Sequence, residues 1–190
     1  MRKTLLLAFS VFCMAHVFTS CSIAAVPSRI KLAIKLSDKT NVVFETNHWY
    51  LALKEDQTYL GACTIRLKRV EGMFGFLTES EEREFFPLIR AMEDAAKKRF
   101  CSTHLNWMCY MNHGYRTIVP MPLVHVHFYP RYLQGSVPFA GLIFTDPNPT
   151  SPPKSYSSRI VPKNVMEEIK RAYQKEFGIS PSKPFIVLEK

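Results

Sequence analysis

The sequence predicts an α+β fold in which antiparallel strands form a five-stranded sheet beside one long helix, with a further helix beyond it. Three observations predict it. Strand patterns come in runs, three before the long helix and two after it. The long helix opens on a capping box and carries a continuous apolar stripe. Strand runs and helices are segregated rather than alternating, which argues against a parallel βαβ sheet. The length of 190 residues suits one domain, and 47% hydrophobic with 22% charged residues is a globular composition. Seven glycines without a fixed period exclude collagen, and no repeat of solenoid or propeller period is present.

Met1-Arg2-Lys3 and the apolar run Leu5–Ala15, continued by His16, Val17 and Phe18, read as the basic and apolar regions of a secretory signal over residues 1–22. Small residues at Ser20, Cys21, Ser22 and Ala24 allow cleavage after Ser22 or Ala24. Lipid modification at Cys21 is an alternative, weakened by Phe18 three positions before it. The run is too short for a membrane span, which wants about 20 apolar residues. Secretion or membrane association is the expected location; an N-terminal segment packed on a cytoplasmic protein is the other reading.

The body of the chain follows in order. Asn41–Glu45 is a Val- and Phe-rich strand, Thr46-Asn47 a turn, and His48–Leu53 an aromatic strand. In Gly61–Lys68, Ala62, Thr64, Arg66 and Lys68 share one face while Cys63, Ile65 and Leu67 share the other, a strand with one basic and one core side. Thr78-Glu79-Ser80-Glu81 caps a helix that runs to about Phe100. Its stripe is Phe85, Phe86, Leu88, Ile89, Met92, Ala95, Ala96 and Phe100. Pro87 should kink or split this helix. Lys97-Lys98-Arg99 sits at its C-terminal end, where the dipole favours cations. Leu105–Met111 and Leu123–Tyr129 are the last two sheet strands, the second ended by Pro130-Arg131. The stretch from Leu133 to Pro162 reads as loop. Lys163–Phe177 is an amphipathic helix stopped by Gly178, and Phe185–Leu188 is a short last strand or a loose end.

The residues that carry chemistry are His125 and His127. Positions two apart in a strand share a face, so both imidazoles and Arg131 line one surface while Val124, Val126 and Phe128 face away. Two uses of such a pair stay open. One is metal ligation, which needs three or four ligands and has His113, His104 and His48 to draw on, none at diagnostic spacing. The other is attack on phosphorus by one imidazole while a neighbouring group handles the leaving-group proton. The five cysteines, at 13, 21, 63, 101 and 109, form no C-x-x-C pair, so neither a disulfide scaffold nor a zinc framework is expected.

Val124–Arg131, with H-V-H-F-Y-P-R at its centre, resembles the signature of the histidine-triad (HIT) family. That signature has three histidines at alternate positions of a strand, often followed by Pro-Arg. His48–Leu53 and Gly61–Arg69 resemble the family's second and third strands, Thr78–Phe100 its long helix, and Leu105–Met108 the strand before the signature. The resemblance spans about residues 41–132, a HIT-like domain. Phe139–Pro147 and Pro130-Arg131-Tyr132 resemble a branch with a C-terminal extension, which makes residues 133–190 an extension with loop and helix.

The resemblance implies roles. His125 matches the middle histidine, which attacks the α-phosphate of a nucleotide and forms a nucleotidyl-histidine intermediate. His127 matches the last histidine, near the phosphate. Asn106 matches a polar position near the phosphate or ribose. His48, Trp49 and Leu51 fall in the region of the base and ribose pocket, where Trp49 or Phe44 is placed to stack on a base; a core position is the other reading for Trp49. Arg131 ends the signature. The ligand implied is a purine nucleotide or dinucleoside polyphosphate, the assembly a homodimer, and no cofactor is expected. Two positions depart from the pattern. Leu123 stands where the first histidine belongs, and Val70 where a histidine usually follows the Lys68-Arg69 pair. A hydrolase or transferase is therefore one reading, and a non-catalytic nucleotide-binding or interaction module the other.

The net charge of +9 is read in that light. Loss of residues 1–22 would remove only Arg2 and Lys3, so the surplus belongs to the body of the chain. Arg66, Lys68, Arg69 and Arg131 form the cluster expected to hold polyphosphate. No long basic run, zinc finger or RNA-binding aromatic pair points to a nucleic-acid polymer.

Overall fold

The computed structural model describes residues 41–116, 122–133, 135–154 and 158–178, without the side chains of 112 and 113. The signal-like segment 1–22, the strand pattern 185–188 and the His113 side chain lie outside the described residues. Five strands form the main sheet: β1 (Val42–Glu45), β2 (Trp49–Leu53), β3 (Cys63–Leu67), β4 (His104–Met108) and β5 (His125–Arg131). Their order is β1-β2-β3-β5-β4, antiparallel at every pairing, as the segregated pattern predicts.

Sequence period two sorts each strand onto two faces. Trp49, Leu51 and Leu53 of β2, Cys63, Ile65 and Leu67 of β3, and Phe128 of β5 are buried in one apolar cluster. Helix α1 (Glu79–Phe100) adds Leu88, Met92, Ala95, Ala96 and Phe100 to that cluster, and α2 (Lys163–Glu176) adds Val165, Ile169 and Tyr173. Both helices therefore cover the same face, and the opposite face carries the polar side chains of β3 and β5.

Local chemistry fixes the entries and exits. Thr78 caps α1 through a reciprocal capping box with Glu81. Cys101 ends it in the left-handed region at φ 53, with the Ser102 N–H donating to the Ala96 carbonyl at 3.2 Å. Pro87 does not split the helix, which is continuous over 22 residues. A helix-interior proline costs about 3 kcal/mol. Full burial of side chains such as Leu88, Met92 and Phe100, at about 1.5–3 kcal/mol each, outweighs it. The cations at the end of α1 do more than meet the dipole: Lys98 and Arg99 both pair with Glu176 of α2, at 2.7 and 3.1 Å.

Gly61 is required where it stands. Its φ is +83°, and an added Cβ would lie 2.6 Å from the Phe100 ring. The buried Gln57 side chain ties this loop together, accepting from the Gly61 N–H and donating to the Lys54 and Ala62 carbonyls.

Beyond shifts of one or two residues at other element ends, three features differ from the sequence reading. β5 starts at His125, not Leu123, and continues through Pro130 to Arg131. Its pairing with β3 ends at Phe128, so at Pro130 only β4 is alongside, and a missing N–H is tolerated as on any edge. β4 is shorter than the apolar run suggests, ending at Met108. The stretch read as loop holds a hairpin, β6 (Ser136–Phe139) and β7 (Leu142–Thr145). Its turn uses Ala140 and Gly141, both at positive φ, instead of the usual Asn-Gly.

Candidate functional site

Register places the site. Arg66 and Thr64 of β3 lie opposite His125 and His127 of β5, and Met108 and Asn106 of β4 lie opposite His127 and Tyr129. Directly opposed residues share a face. Thus His125, His127, Tyr129, Arg66, Thr64, Asn106 and Met108 all belong to the face away from the helices.

His125 and His127 are both half-buried, with ring centroids 5.0 Å apart and planes at 80°. His125 Nδ1 lies 2.7 Å from the Leu123 carbonyl oxygen. A carbonyl only accepts, so Nδ1 carries a proton, and in the neutral form of the ring the lone pair is on Nε2. His127 Nδ1 lies 3.1 Å from Lys54 Nζ. Tyr129 stacks along His127 at 6.3 Å, and Lys54 lies 5.2 Å from the Tyr129 ring centroid. Burial chiefly, then neighbouring phenols and Asp56, pushes the Tyr129 hydroxyl up to about 12, so it is a neutral donor at neutral pH. Burial is also the main influence lowering the Lys54 ammonium below its ordinary value, with Arg66 acting in the same direction.

The four-cation cluster read from the sequence divides. Lys68 pairs with Glu45 at 2.8 Å and donates to the Thr46 carbonyl. Arg69 is held by Glu81, Glu71 and the Phe76 carbonyl. Arg131 is fully buried, and its five N–H groups meet five acceptors: Asp146 twice, Asn106 Oδ1, and the Asn148 and Ser151 carbonyls. Expected as a ligand contact, Arg131 instead joins β5 to the segment after β7. Arg66 differs from all three. It is exposed, opposite His125, and its guanidinium has no hydrogen bond or ion pair among the described residues.

Trp49 is a second correction. Its side chain is fully buried on the helix side of the sheet, donates to the Glu81 carbonyl at 3.0 Å and packs on Phe85. Counting by two from a core leucine puts it there, so it has no route to a ligand on the histidine face. His48 stays half-buried at the β1–β2 turn, where its backbone N–H donates to Glu84. Asn106 spends its Oδ1 on Arg131 and keeps its amide N–H groups, for which no protein acceptor is found among the described residues. It lines a groove of about 530 Å³ between β4 and the Pro149–Pro153 segment, together with His104, Trp107, Met108 and Tyr110.

Leu123 and Val70 lie on adjacent segments. The Leu67 N–H donates to the Val124 carbonyl at 3.0 Å and the Val124 N–H to the Glu71 carbonyl at 2.6 Å. Val70 is 49% exposed. The two departures from the histidine pattern therefore fall in one place.

Lys54 was not visible as a site residue in the sequence, where it opens a polar loop. The one available signal was its parity: it follows Tyr50 and Ala52 by even steps and so shares the histidine face. Among the described residues no group of three or more His, Cys, Asp or Glu side chains is placed to hold a metal ion. Nor, among them, is any helix long and apolar enough to cross a membrane.

No protein-family model matches the sequence, and no curated protein matches it. Solved structures do match the fold. A histidine triad protein from Bradyrhizobium japonicum superposes with a TM-score of 0.53 at 14% identity, covering 72% of this chain and 90% of its own. A histidine triad protein from Marinobacter aquaeolei VT8 gives a TM-score of 0.52 at 13% identity, covering 72% and 88%. The chain has the HIT-like α+β fold.

Proposed function

We propose that this chain, on the HIT-like fold, binds a purine nucleotide or dinucleoside polyphosphate and acts on its α-phosphate through His125. The observation that carries the reading is the 2.7 Å contact of His125 Nδ1 with the Leu123 carbonyl, opposite the unpaired Arg66. It leaves Nε2 as the basic nitrogen of a neutral imidazole, the form a nucleophile requires.

In the proposed step the Nε2 lone pair attacks the α-phosphorus and the bond to the leaving oxygen breaks. A donor on the same face, His127 or Tyr129, gives the leaving oxygen its proton. Water, or an acceptor hydroxyl, then displaces His125 from phosphorus and gives its proton to the group that protonated the leaving oxygen, restoring both that donor and the imidazole. Arg66 holds non-bridging or distal phosphate oxygens by charge-assisted hydrogen bonds. Asn106 offers its amide N–H groups to a ribose or phosphate oxygen, and Arg131 acts by orienting Asn106. A homodimer, with strands meeting across a two-fold axis, belongs to the same reading, and sedimentation of the purified chain tests it.

The test is covalent capture. Incubation with an α-labelled dinucleoside polyphosphate and rapid denaturation should leave label on the wild-type chain and none on His125→Ala. Full turnover by His125→Ala would remove the mechanism.

The second reading, a binding module without turnover, is favoured by the apolar pair Leu123 and Val70. It expects saturable nucleotide binding, no release of product, and recovery of turnover when Leu123→His and Val70→His are combined.

A further inference from the structure

We infer that Lys54 is a positioning residue of the histidine strand: its ammonium donates to His127 Nδ1 and obliges His127 to carry its own proton on Nε2. The catalytic meaning of this inference rests on the function proposed above, but the tautomer itself does not.

The argument starts from donor inventory. A lysine ammonium has three donors and no acceptor. At 3.1 Å from Nζ, His127 Nδ1 can only be the acceptor. A neutral imidazole that accepts at Nδ1 is protonated at Nε2. His125 is in the opposite state, because its Nδ1 faces a carbonyl. Two adjacent imidazoles on one strand are thus set in complementary forms. One presents a basic Nε2 and the other an Nε2–H donor, the pair of properties that attack on phosphorus and stabilisation of its oxygens require.

The placement of Lys54 is specific. It follows β2 directly, and its backbone N–H donates to the Ala62 carbonyl at 3.0 Å. To reach His127 its side chain crosses β3, where Thr64 is the residue paired with both Ala52 and His127. The β3 residues nearest that path by register, Ala62 and Thr64, are both small. The ammonium is half-buried and lies over the Tyr129 ring as well, so its position is held from two sides. Lys54 also brings a positive charge to a strand whose first expected histidine is Leu123.

The experiment is nitrogen–proton correlation NMR on the full chain, reading which ring nitrogen of each histidine is protonated at neutral pH. The wild-type protein should show His127 protonated at Nε2 and His125 at Nδ1. Lys54→Met should move the His127 proton to Nδ1 or to a mixture of both and leave His125 unchanged. Lys54→Arg, whose guanidinium also only donates, should keep the wild-type form. A wild-type His127 protonated at Nδ1 overturns the inference without any variant, even where Lys54→Met does not fold. So does a His127 that is identical in folded Lys54→Met. With nucleotide as substrate, kcat of Lys54→Met should fall about tenfold or more, with a smaller change in KM. Absence of turnover in the wild type would count against the proposed function, while the tautomer result would still stand or fall by itself.

Discussion

Arg131 and Asp146 form an ion pair in which both side chains are fully buried, with Nε to Oδ2 at 2.7 Å and Nη2 to Oδ1 at 3.1 Å. Asp146 also accepts from the backbone N–H groups of Asn148 and Tyr132. The pair therefore fixes the end of β5, the turn after β7 and, through Asn106, the wall of the groove.

Removing one partner leaves the other charge buried and unmatched. Asp146→Ala is expected to lower unfolding free energy by about 3–5 kcal/mol in a denaturant titration. Burial works to raise the Asp146 carboxyl, but donation from Arg131 and the two backbone N–H groups holds it below its ordinary 3.8. A depressed folded value gives stability that is complete above the unfolded value and lost as pH falls through the folded one. Wild-type stability should therefore decline below about pH 4 through this group, and Asp146→Asn should lack that part of the decline.

The start of α1 makes a second acid-sensitive point. Donation from Arg69 is the main cause pulling Glu81 from 4.5 to about 2; burial opposes it and the Thr78 N–H assists. Its contribution is present above about pH 4.5 and is lost between there and about pH 2. Because Arg69 is partly exposed, solvent screening limits the pair, and Glu81→Gln should cost about 1–2 kcal/mol at neutral pH. Thr78→Ala should cost about 1 kcal/mol. Since the two share one capping box, the double variant should cost less than the two single costs together, measurable by thermal melts.

His125 and His127 should separate kinetically. His125→Ala should trap no label from nucleotide. His127→Asn should still trap label but turn over roughly 10²–10⁴-fold more slowly, the range for loss of a proton-handling group. Single-turnover assays distinguish the two; equal loss of label in both variants would deny His127 its separate role.

Arg66 on β3 and Lys68 just beyond its end have opposite expectations. Arg66→Ala removes the exposed, unpaired guanidinium opposite His125 and should weaken phosphate-ligand binding by about 1.5–3 kcal/mol, roughly ten- to a hundredfold in Kd. Lys68→Ala removes a charge already matched by Glu45 and should change Kd less than threefold or so. Calorimetric titration at two salt concentrations checks both, since the Arg66 contribution should shrink with added salt.

The sheet was legible because parity and apolar runs encode it locally: all five strands and both helices stand where pattern puts them. What escaped depends on partners distant in sequence. The Ala140-Gly141 turn lacks a strong dipeptide signal, and Pro130 looks like a stop until the end of β3 is known. The same division holds at the site. Period two put His125, His127 and Arg131 on one face. The fate of the Arg131 guanidinium needed Asp146, Asn148 and Ser151, which nothing near residue 131 foretells. Lys54 meets His127 across 73 positions, a contact that only the β2–β3–β5 register brings about.

The acceptor that orients His125 is a main-chain carbonyl. Any amino acid at position 123 supplies the same oxygen, so the restraint is inherited with the pleat and not with the side chain. Replacement of Leu123 by any residue other than one that distorts the backbone should leave the imidazole where it is. A chain on this fold can thus carry a residue other than histidine at position 123 and still hold the central imidazole in line. Patterns of letters lose track of such a chain well before its geometry changes.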